Sequence, residues 1–571
     1  MSYLDTYQDW LQQPALTSLE REELSTLTTA ELESRFFGSL EFGTAGLRGI
    51  MGLGLNRMNI YVIRHATQAF AEVILSANAP ADGIAICYDC RNHSEEFAKE
   101  AASVMAGNGI PVRLFSAMRP TPELSFAIRA YGCVAGINIT ASHNPKEYNG
   151  YKVYWSDGAQ LPPHHAAAIA EKMDNLDVFA SIKSIPFEDA LANGTITLMG
   201  QETDDAFLNQ VLAQISDSYA VAKIANNFRM VYTPFHGTGY EQVPYVLKKL
   251  GIKNLFCVPE QMITDGDFPT VASPNPENFE SFALAIALAK KENADFILGT
   301  DPDTDRVGIL ARDRTGEYKQ ISGNQTGVLL MDYLIGAKKR TGSLPPKPVV
   351  LKTIVTTEMA RQVAEKNGVT CYDTFTGFKF MAEKKNELEA SGEGNVIFSY
   401  EESYGYMIGD YVRDKDAVTA SLLLTEMTAW YAAKGQTLFD ALDALFEKYG
   451  FYAEKTLNLV MPHLQGMAKM QALMLSLRAN PLNIIAGVPV QIRKDYESGQ
   501  QTDVSSGTVT SMPLVGSNVL KYHLADGTTL VVRPSGTEPK VKVYILTTGA
   551  NTKECQQKIA RFSAWADTLS Q

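Results

Sequence analysis

The segment Thr140–Lys152 reads TASHNPKEYNGYK, and it follows the apolar run Val134–Ile139, VAGINI. An apolar run that stops at Asn-Pro is typical of a buried strand that ends in a tight loop. The loop carries a hydroxyl and an imidazole side by side, Ser142 and His143, and Lys152 follows in a second strand-like run. Taken alone, Ser-His-Asn-Pro is equally compatible with an ordinary polar turn. Whether this loop holds a reactive serine or is a simple turn therefore depends on the residues of the other loops.

Strand-like and helix-like segments alternate through most of the chain. Gly83–Asp89 predicts a strand, Ser94–Gly109 a helix with Ser94 as its N-cap, and Pro111–Ser116 a second strand. Strand, helix and strand over about thirty residues are the signature of a βαβ crossover. The pattern restarts near Phe228 and again near Pro348. Because α/β sheets bind ligands beyond the carboxyl ends of their strands, the loops that follow strands are the candidate sites.

Length and composition exclude several classes of protein. At 571 residues the chain is too long for one core, which predicts three or four domains. The 51 basic and 64 acidic residues give a net charge of −13 without a basic stripe, which argues against nucleic-acid binding. Six cysteines do not make a disulfide framework, and neither a signal peptide nor a membrane-spanning run is visible. We therefore expect a cytoplasmic protein without nucleic-acid or membrane partners.

An acidic loop follows the buried strand-like run DFILG. It reads DPDTDR and places Asp301, Asp303 and Asp305 at alternating positions before Arg306. Three carboxylates in a tight loop can converge on one hard cation, although a solvated acidic turn has the same composition. An EF-hand is excluded because Arg306 stands where that loop needs glycine. An incomplete oxygen cage of this kind favours magnesium that is completed by a phosphate oxygen.

Three further loops carry polar groups that could bind an anion or hydroxyl groups. Glu401–Gly405, EESYG, offers carboxylates and a hydroxyl at the end of a strand-like run. Arg533–Pro539, RPSGTEP, combines an arginine fork, two hydroxyls and a glycine in a compact anion cradle. Phe42–Gly49, FGTAGLRG, is a glycine-rich loop that contains Arg48. From the residues alone, however, Glu401–Gly405 is better explained as a charged surface turn and Phe42–Gly49 as a simple connecting loop.

These loops together resemble the motifs of the α-D-phosphohexomutases, the phosphoglucomutase and phosphomannomutase superfamily. The longer stretch TASHNPKEYNGYKVYWSDGAQ is similar to the branch that contains phosphoglucomutases and phosphopentomutases. The resemblance spans nearly the whole chain and implies an α/β fold of four domains. Three related α/β domains with mixed sheets and a C-terminal α+β domain are expected around a central cleft. The domains are expected at residues 1–204, 205–320, 321–450 and 451–571.

The resemblance also implies a role for each loop. Ser142 is expected to carry a phosphoryl group, with Lys152 or His143 as general acid and base and Arg48 beside it. The implied metal ligands are the phosphorylated Ser142 and the carboxylates of Asp301, Asp303 and Asp305. The implied substrate-binding residues are Arg306, Thr376, Gly377, Lys379, Glu401, Ser403, Arg533, Ser535, Gly536 and Thr537.

The activity implied by the resemblance is a phosphoryl transfer within a sugar phosphate. It is the reversible interconversion of glucose 1-phosphate and glucose 6-phosphate through a phosphoserine enzyme, with Mg²⁺ as cofactor and glucose 1,6-bisphosphate as primer and intermediate. The partners are then small sugar phosphates, and the protein is a monomer or a dimer. The run Glu401-Glu402-Ser403 favours glucose. Phosphopentomutase, phosphomannomutase and hexose-bisphosphate synthase remain alternatives within the family, and a phosphosugar phosphatase or a sugar-phosphate sensor outside it.

Overall fold

The computed structural model describes residues 2–43, 46–77, 82–461, 466–535 and 540–570. Its strands are β1 Leu47–Ile50, β2 Ile84–Tyr88, β3 Val112–Phe115, β4 Ala135–Ile139, β5 Tyr148–Trp155, β6 Ile196–Met199, β7 Arg229–Thr233, β8 Asn254–Cys257, β9 Phe296–Thr300, β10 Val307–Arg312, β11 Tyr318–Ile321, β12 Pro348–Thr353, β13 Thr370–Thr374, β14 Asn395–Tyr400, β15 Tyr406–Met407, β16 Phe451–Val460, β17 Ile484–Ile485, β18 Val488–Asp495, β19 Gln500–Asp503, β20 Val509–Ser511, β21 Leu520–Leu524, β22 Thr529–Pro534 and β23 Lys540–Gly549.

The α-helices are α1 Tyr3–Leu11, α2 Ser18–Ser25, α3 Thr29–Phe36, α4 Ile60–Ser76, α5 Ser94–Gly107, α6 Thr121–Ala130, α7 Pro163–Asn175, α8 Phe187–Ala192, α9 Gln201–Leu212, α10 Ser218–Ile224, α11 Gly239–Leu250, α12 Ala283–Glu292, α13 Gly323–Thr341, α14 Met359–Lys366, α15 Phe378–Ser391, α16 Ala417–Ala432, α17 Leu438–Tyr449, α18 Gly466–Ala479 and α19 Thr552–Asp567. Short 3-10 turns lie at Pro259–Met262, Phe279–Phe282 and Thr568–Ser570. None of the helices in the described ranges is both long and apolar enough to cross a membrane.

The chain divides into two compact units. The first comprises Met1–Gly323 with Ser403–Thr437, and the second comprises Asn324–Glu402 with Leu438–Gln571. The first unit contains two mixed sheets, with strand orders β1-β5-β4-β2-β3-β6 and β11-β10-β9-β7-β8. The parallel strands β2 and β4 are buried at every position, as expected where helices cover both faces of a sheet. The mixed α/β sheets expected from the sequence are confirmed.

The two sheets of the first unit determine the positions of the serine loop and the acidic loop. In the first sheet β4 runs antiparallel to β5, with Asn138 opposite Lys152, and the TASHNP loop connects these two strands. In the second sheet β9 runs antiparallel to β10, and the DPDTDR loop connects them. Both loops thus lie between buried neighbouring strands, whose pairing fixes where each loop begins and ends.

The second unit combines a parallel and an antiparallel sheet. β12 lies between β13 and β14 and is parallel to both. The C-terminal sheet has the order β16-β23-β22-β21-β18-β19-β20, and its pairs are antiparallel. This sheet and helices α18 and α19 form the expected C-terminal α+β region. The phosphate-loop prediction falls partly on residues 536–539, which lie outside the described residues.

The helix predicted with Ser94 as its N-cap begins one residue earlier than expected. Ser94 is its first residue, and the N-cap is His93, whose φ of 65° is left-handed and whose side chain makes no capping bond. The prediction of a Ser94 cap was wrong because this hydroxyl has a stronger partner elsewhere. It donates to the carboxylate of Asp89 at 2.9 Å, inside the loop that follows β2.

Candidate active site

Ser142 lies in a strained turn directly after β4. Its φ is 53°, in the left-handed region that a residue with a side chain rarely adopts, and it is only 3% exposed. The Thr140 hydroxyl accepts the Ser142 backbone N–H at 2.8 Å and so stabilises the turn. The turn directs the Ser142 Oγ to within 3.0 Å of Asp301 Oδ2 and 3.2 Å of His143 Nδ1.

One buried arginine holds the backbone of the serine loop. Arg91 is 3% exposed, and its two terminal nitrogens donate four hydrogen bonds to main-chain carbonyls. The accepting carbonyls belong to Ser142 at 2.6 Å, Asn144 at 2.5 Å, Pro145 at 2.9 Å and Tyr148 at 3.0 Å. A guanidinium can serve several acceptors at once because its donors form a rigid planar fork.

Two further contacts fix this arginine in place. Its Nε lies 3.4 Å from Asp89 Oδ2, which also accepts the Thr140 hydroxyl at 2.6 Å. Its guanidinium lies 5.0 Å from the centre of the Phe268 ring, within the range of a cation–π contact. Sequence reasoning missed Arg91, because no local pattern in the run Cys87–Arg91, CYDCR, connects this arginine with the distant serine loop.

The acidic loop turns three buried carboxylates toward one another. Asp301, Asp303 and Asp305 are at most 2% exposed, and one oxygen from each lies within 4.8 Å of the others. Asp301 Oδ1 accepts the backbone N–H groups of Asp305 at 3.1 Å and Arg306 at 2.9 Å. The other oxygen of Asp301 faces Ser142. The serine loop and the acidic loop therefore meet, as the sequence led us to expect.

Lysine side chains partly balance these carboxylates. Lys152 Nζ lies 2.7 Å from Asp303 Oδ2 and 3.6 Å from Asp305 Oδ2. Lys415 Nζ lies 3.2 Å from the same oxygen of Asp305 and 3.0 Å from Asp414 Oδ1. Sequence reasoning missed Lys415, although the run Arg413–Asp416, RDKD, is a signal of charged side chains placed close together.

The residues of this cluster fit a divalent cation. Asp303 Oδ1 and Asp305 Oδ1 are buried, and neither accepts a hydrogen bond from the described residues. A buried carboxylate oxygen without a donor is costly, and a hard cation with oxygen ligands removes that cost. The donor set of three carboxylates beside a serine hydroxyl is the type that Mg²⁺ takes in phosphoryl-transfer sites.

The titration behaviour of the cluster follows from its burial and its charges. Burial, together with the charges of Asp303 and Asp305, raises the pKa of Asp301 well above its ordinary value. Burial alone would also raise the pKa of Asp303, but Lys152 holds it below the ordinary value. Burial and the positive charges of Arg306 and Arg48 lower the pKa of His143 well below its ordinary value. His143 is therefore neutral near pH 7.

Two arginines predicted for the site lie at its edge. Arg48 is exposed, and its Nη1 donates to Asn144 Oδ1 at 3.0 Å, which places it beside the serine loop. Arg306 Nη1 donates to Glu277 Oε1 at 2.8 Å, so a carboxylate of the first unit already engages this guanidinium. Whether either arginine contacts a substrate stays a prediction.

The second unit brings together several of the residues predicted to bind the sugar phosphate. Glu401 Oε1 accepts the Gly377 backbone N–H at 2.6 Å. Burial and the positive charge of Arg533 lower the pKa of Lys379 to about 8. Ser535 donates its backbone N–H to Lys540 at 2.8 Å.

The other predicted substrate-binding residues lie in both units or outside the described residues. Thr376 precedes Gly377 at the start of α15, and Glu402 Oε2 accepts the Thr353 hydroxyl at 3.2 Å. Ser403 belongs to the first unit. Gly536 and Thr537 lie outside the described residues, so their predicted role in phosphate binding stays a prediction.

Comparison with known protein families covers most of the chain. Four domain descriptions of phosphoglucomutase/phosphomannomutase match in succession: α/β/α domain I at residues 39–178, α/β/α domain II at 205–316, α/β/α domain III at 322–449 and the C-terminal domain at 489–561. The chain belongs to this family. It is accordingly an intramolecular phosphotransferase, an enzyme of the isomerase class.

Individual family members extend the likeness over nearly the full length. A phosphoglucomutase from Staphylococcus haemolyticus is 36% identical over 535 residues, which cover 94% of this chain and 95% of that protein. A phosphoglucomutase from Staphylococcus aureus is 34% identical over 552 residues, which cover 96% and 97%.

Solved structures of the family share the fold at lower identity. Parafusin, a phosphoglucomutase from Paramecium in its open form, superposes with a TM-score of 0.67 at 17% identity and covers 93% of this chain and 95% of its own. A phosphoglucomutase/phosphomannomutase family protein from Burkholderia thailandensis gives a TM-score of 0.64 at 17% identity, covering 93% and 97%. The four-domain phosphohexomutase architecture expected from the sequence is thus confirmed.

Proposed function

We propose that this enzyme interconverts glucose 1-phosphate and glucose 6-phosphate through a phosphoserine at Ser142. The observation that carries the proposal is the 3.0 Å contact between Ser142 Oγ and Asp301 Oδ2, because it joins a strained serine turn to a cluster of three buried carboxylates. The phosphoglucomutase relatives support glucose as the sugar. The proposed intermediate is glucose 1,6-bisphosphate, which also serves as primer.

The proposed transfer conserves the phosphoryl group. The C6 hydroxyl oxygen of glucose 1-phosphate forms a bond to phosphorus while the bond between phosphorus and Ser142 Oγ breaks. The hydroxyl proton passes to a base, for which Lys152 and His143 are both candidates at the serine. The bisphosphate then turns round, and its C1 phosphoryl group returns to Ser142 with the proton moving in reverse. Glucose 6-phosphate and the phosphoserine enzyme result.

We propose that Asp301, Asp303 and Asp305 hold Mg²⁺ together with a phosphoserine oxygen. When bound, the ion supplies charge neutralisation for the transferring phosphoryl group. The unpartnered oxygens of Asp303 and Asp305 support this assignment, because they are buried acceptors without donors in the described part of the chain. Lys152 keeps the other oxygen of Asp303 occupied at 2.7 Å.

Further groups are proposed to bind the rest of the substrate. Lys379 and Arg533, with Ser535, are suited to the non-reacting phosphate because they offer two cations and a hydroxyl. Glu401 and Ser403 are proposed for the sugar hydroxyls, with Thr376, Gly377, Gly536 and Thr537 completing the contacts and Arg48 and Arg306 beside the serine. Because the sugar reverses between the two transfers, these groups have to accept either end of it.

The proposal extends to the compartment and the assembly. All six cysteines are free thiols, which fits the reducing cytoplasm that we propose as the compartment. We propose small sugar phosphates as the ligands and a monomer or dimer as the active form.

The test compares sugars under one set of conditions. Glucose 1-phosphate, mannose 1-phosphate and ribose 1-phosphate are each supplied with a bisphosphate primer and Mg²⁺, and product formation is followed. We expect kcat/KM for glucose 1-phosphate to exceed that for ribose 1-phosphate at least about tenfold, because polar groups left unpaired by the wrong sugar discriminate strongly. Equal or reversed preference would assign the enzyme to the phosphopentomutases, and a preference for mannose to the phosphomannomutases. Release of inorganic phosphate without isomerised sugar would indicate a phosphatase.

A further inference from the structure

We propose that Thr121 is a positioning residue for Asp303, and that its hydroxyl sets the affinity of the three-carboxylate cluster for a divalent cation. The proposal rests on the metal site proposed above. It concerns a residue outside the loops discussed so far, on helix α6, which precedes β4 in the chain.

Thr121 donates two hydrogen bonds to Asp303. It is the first residue of α6 and is fully buried. Its backbone N–H donates to the carbonyl of Asp303 at 2.8 Å, and its hydroxyl donates to Asp303 Oδ2 at 3.0 Å. The main-chain contact fixes where the residue lies, and the hydroxyl contact fixes how its carboxylate is rotated.

A third residue determines which way the Thr121 hydroxyl points. The Asn138 side-chain amide donates to Thr121 Oγ1 at 2.8 Å. Because that oxygen receives a hydrogen from Asn138, its own hydrogen is available for Asp303. Asn138 lies opposite Lys152 in the antiparallel pair of β4 and β5. One cross-strand pair of a buried sheet thus supplies both Lys152, which donates to Asp303, and Asn138, which orients the Thr121 hydroxyl.

The two carboxylate oxygens of Asp303 therefore differ in the hydrogen bonds that they accept. Asp303 Oδ2 accepts from Lys152 at 2.7 Å and from Thr121 at 3.0 Å. Asp303 Oδ1 is buried and accepts no hydrogen bond from the described residues. Rotation of the carboxylate would break both bonds to Oδ2, so Oδ1 is presented to the cluster in advance. Outer-sphere partners of this kind typically change metal affinity about 10- to 100-fold.

The decisive variant is Thr121→Val, which keeps the shape of the side chain and removes only the hydroxyl. Thr121→Ser keeps the hydroxyl and removes the methyl group. Thr67→Val is the matched control, because Thr67 is a fully buried threonine of the same unit whose hydroxyl donates to the Ile63 carbonyl at 2.7 Å. The probe is Mn²⁺ alone, titrated into chelator-treated protein, with free Mn²⁺ measured by electron paramagnetic resonance. Intact mass is used to match phosphoserine occupancy among the samples.

We expect the Mn²⁺ dissociation constant to rise about tenfold or more in Thr121→Val. Thr121→Ser is expected to stay near the wild-type value, as is Thr67→Val. Wild-type Mn²⁺ affinity in folded Thr121→Val would overturn the proposal. An equal loss of Mn²⁺ affinity in Thr121→Ser would also overturn it, because the loss would then come from the missing methyl group. If the wild-type protein fails to bind Mn²⁺, the proposed metal site itself is wrong.

A second variant tests the hydrogen bond from Asn138 that orients the Thr121 hydroxyl. Asn138→Leu removes the donor that directs the Thr121 hydroxyl and keeps the branched shape of the side chain. We expect weaker Mn²⁺ binding in the same direction as Thr121→Val, and unchanged affinity would count against the proposal. This variant also serves if Thr121→Val does not fold, which circular dichroism of the metal-free proteins would reveal.

Discussion

Lys152 donates a hydrogen bond to Asp303 across 2.7 Å, although 151 positions separate the two residues in the chain. The bond joins the strand after the serine loop to the centre of the acidic loop. It also places a positive charge where burial would otherwise favour protonation of the carboxylate, and the pKa of Asp303 is accordingly held low. The two sheets of the first unit therefore share one charged centre.

Replacing the serine removes the proposed phosphoryl carrier. In Ser142→Ala we expect kcat to fall at least about 10³-fold, because a missing nucleophile cannot be replaced by the remaining groups. Binding of glucose 1-phosphate should persist and can be measured by calorimetry, and intact mass should show no phosphoryl adduct. Ser103→Ala, at another buried serine of the first unit, is the control. Turnover near the wild-type rate in Ser142→Ala would refute the assignment.

Removing the metal or one of its ligands should abolish transfer while the fold persists. We expect chelation to stop turnover and added Mg²⁺ to restore it. Asp303→Asn should lower kcat at least about 10²-fold, since charge stabilisation of the transferring group is lost. Asp313→Asn, at the turn between β10 and β11, is the control and should remain within about twofold. Full activity after thorough chelation would show that the acidic loop is not catalytic.

Arg91 should affect turnover without touching the substrate. Arg91→Lys keeps the charge, but an ammonium has three donors and cannot reproduce the planar fork that serves four loop carbonyls. We expect kcat to fall about 10²-fold through displacement of Ser142, with a smaller change in KM. The measurement is steady-state kinetics together with the rate of serine phosphorylation by the bisphosphate. Arg113→Lys, at a half-buried arginine 4.7 Å from the Tyr131 ring, should leave both rates unchanged.

Substrate binding should weaken in alkaline solution. The pKa of Lys379 is lowered to about 8 by burial and by Arg533, so this side chain is charged below that pH and neutral above it. The substrate phosphate is already dianionic at pH 7, because its second pKa is about 6. We therefore expect KM to rise up to about tenfold between pH 7 and pH 9.

Two variants distinguish deprotonation of Lys379 from deprotonation of other groups as the cause of the rise in KM. Lys379→Arg should remove the rise in KM, since a guanidinium stays charged throughout this range. Lys384→Arg, on the same helix and paired with Glu387 at 2.9 Å, should keep it. A rise that persists unchanged in Lys379→Arg would mean that another group is responsible.

Local sequence patterns predicted the strands around the site and the positions of the serine loop and the acidic loop. The apolar run before Ser142 and the turn pair after it predicted the strand and the loop that the structure contains. The alternation of Asp301, Asp303 and Asp305 predicted their convergence, because alternate residues of a tight loop reach the same point. The misplaced cap at Ser94 shows the limit of such patterns, since Asp89 competes for the same hydroxyl.

The sequence by itself thus determined the α/β alternation, the serine loop and the acidic loop, because each depends on residues close together in the chain. Only the tertiary structure decided that Arg91 serves the serine loop, that Lys415 faces Asp305 and that Thr121 orients Asp303. These contacts join residues far apart in the chain, and none has a local pattern that requires it. They arise because strand pairing and helix packing bring buried donors and acceptors together, where each has to find a partner.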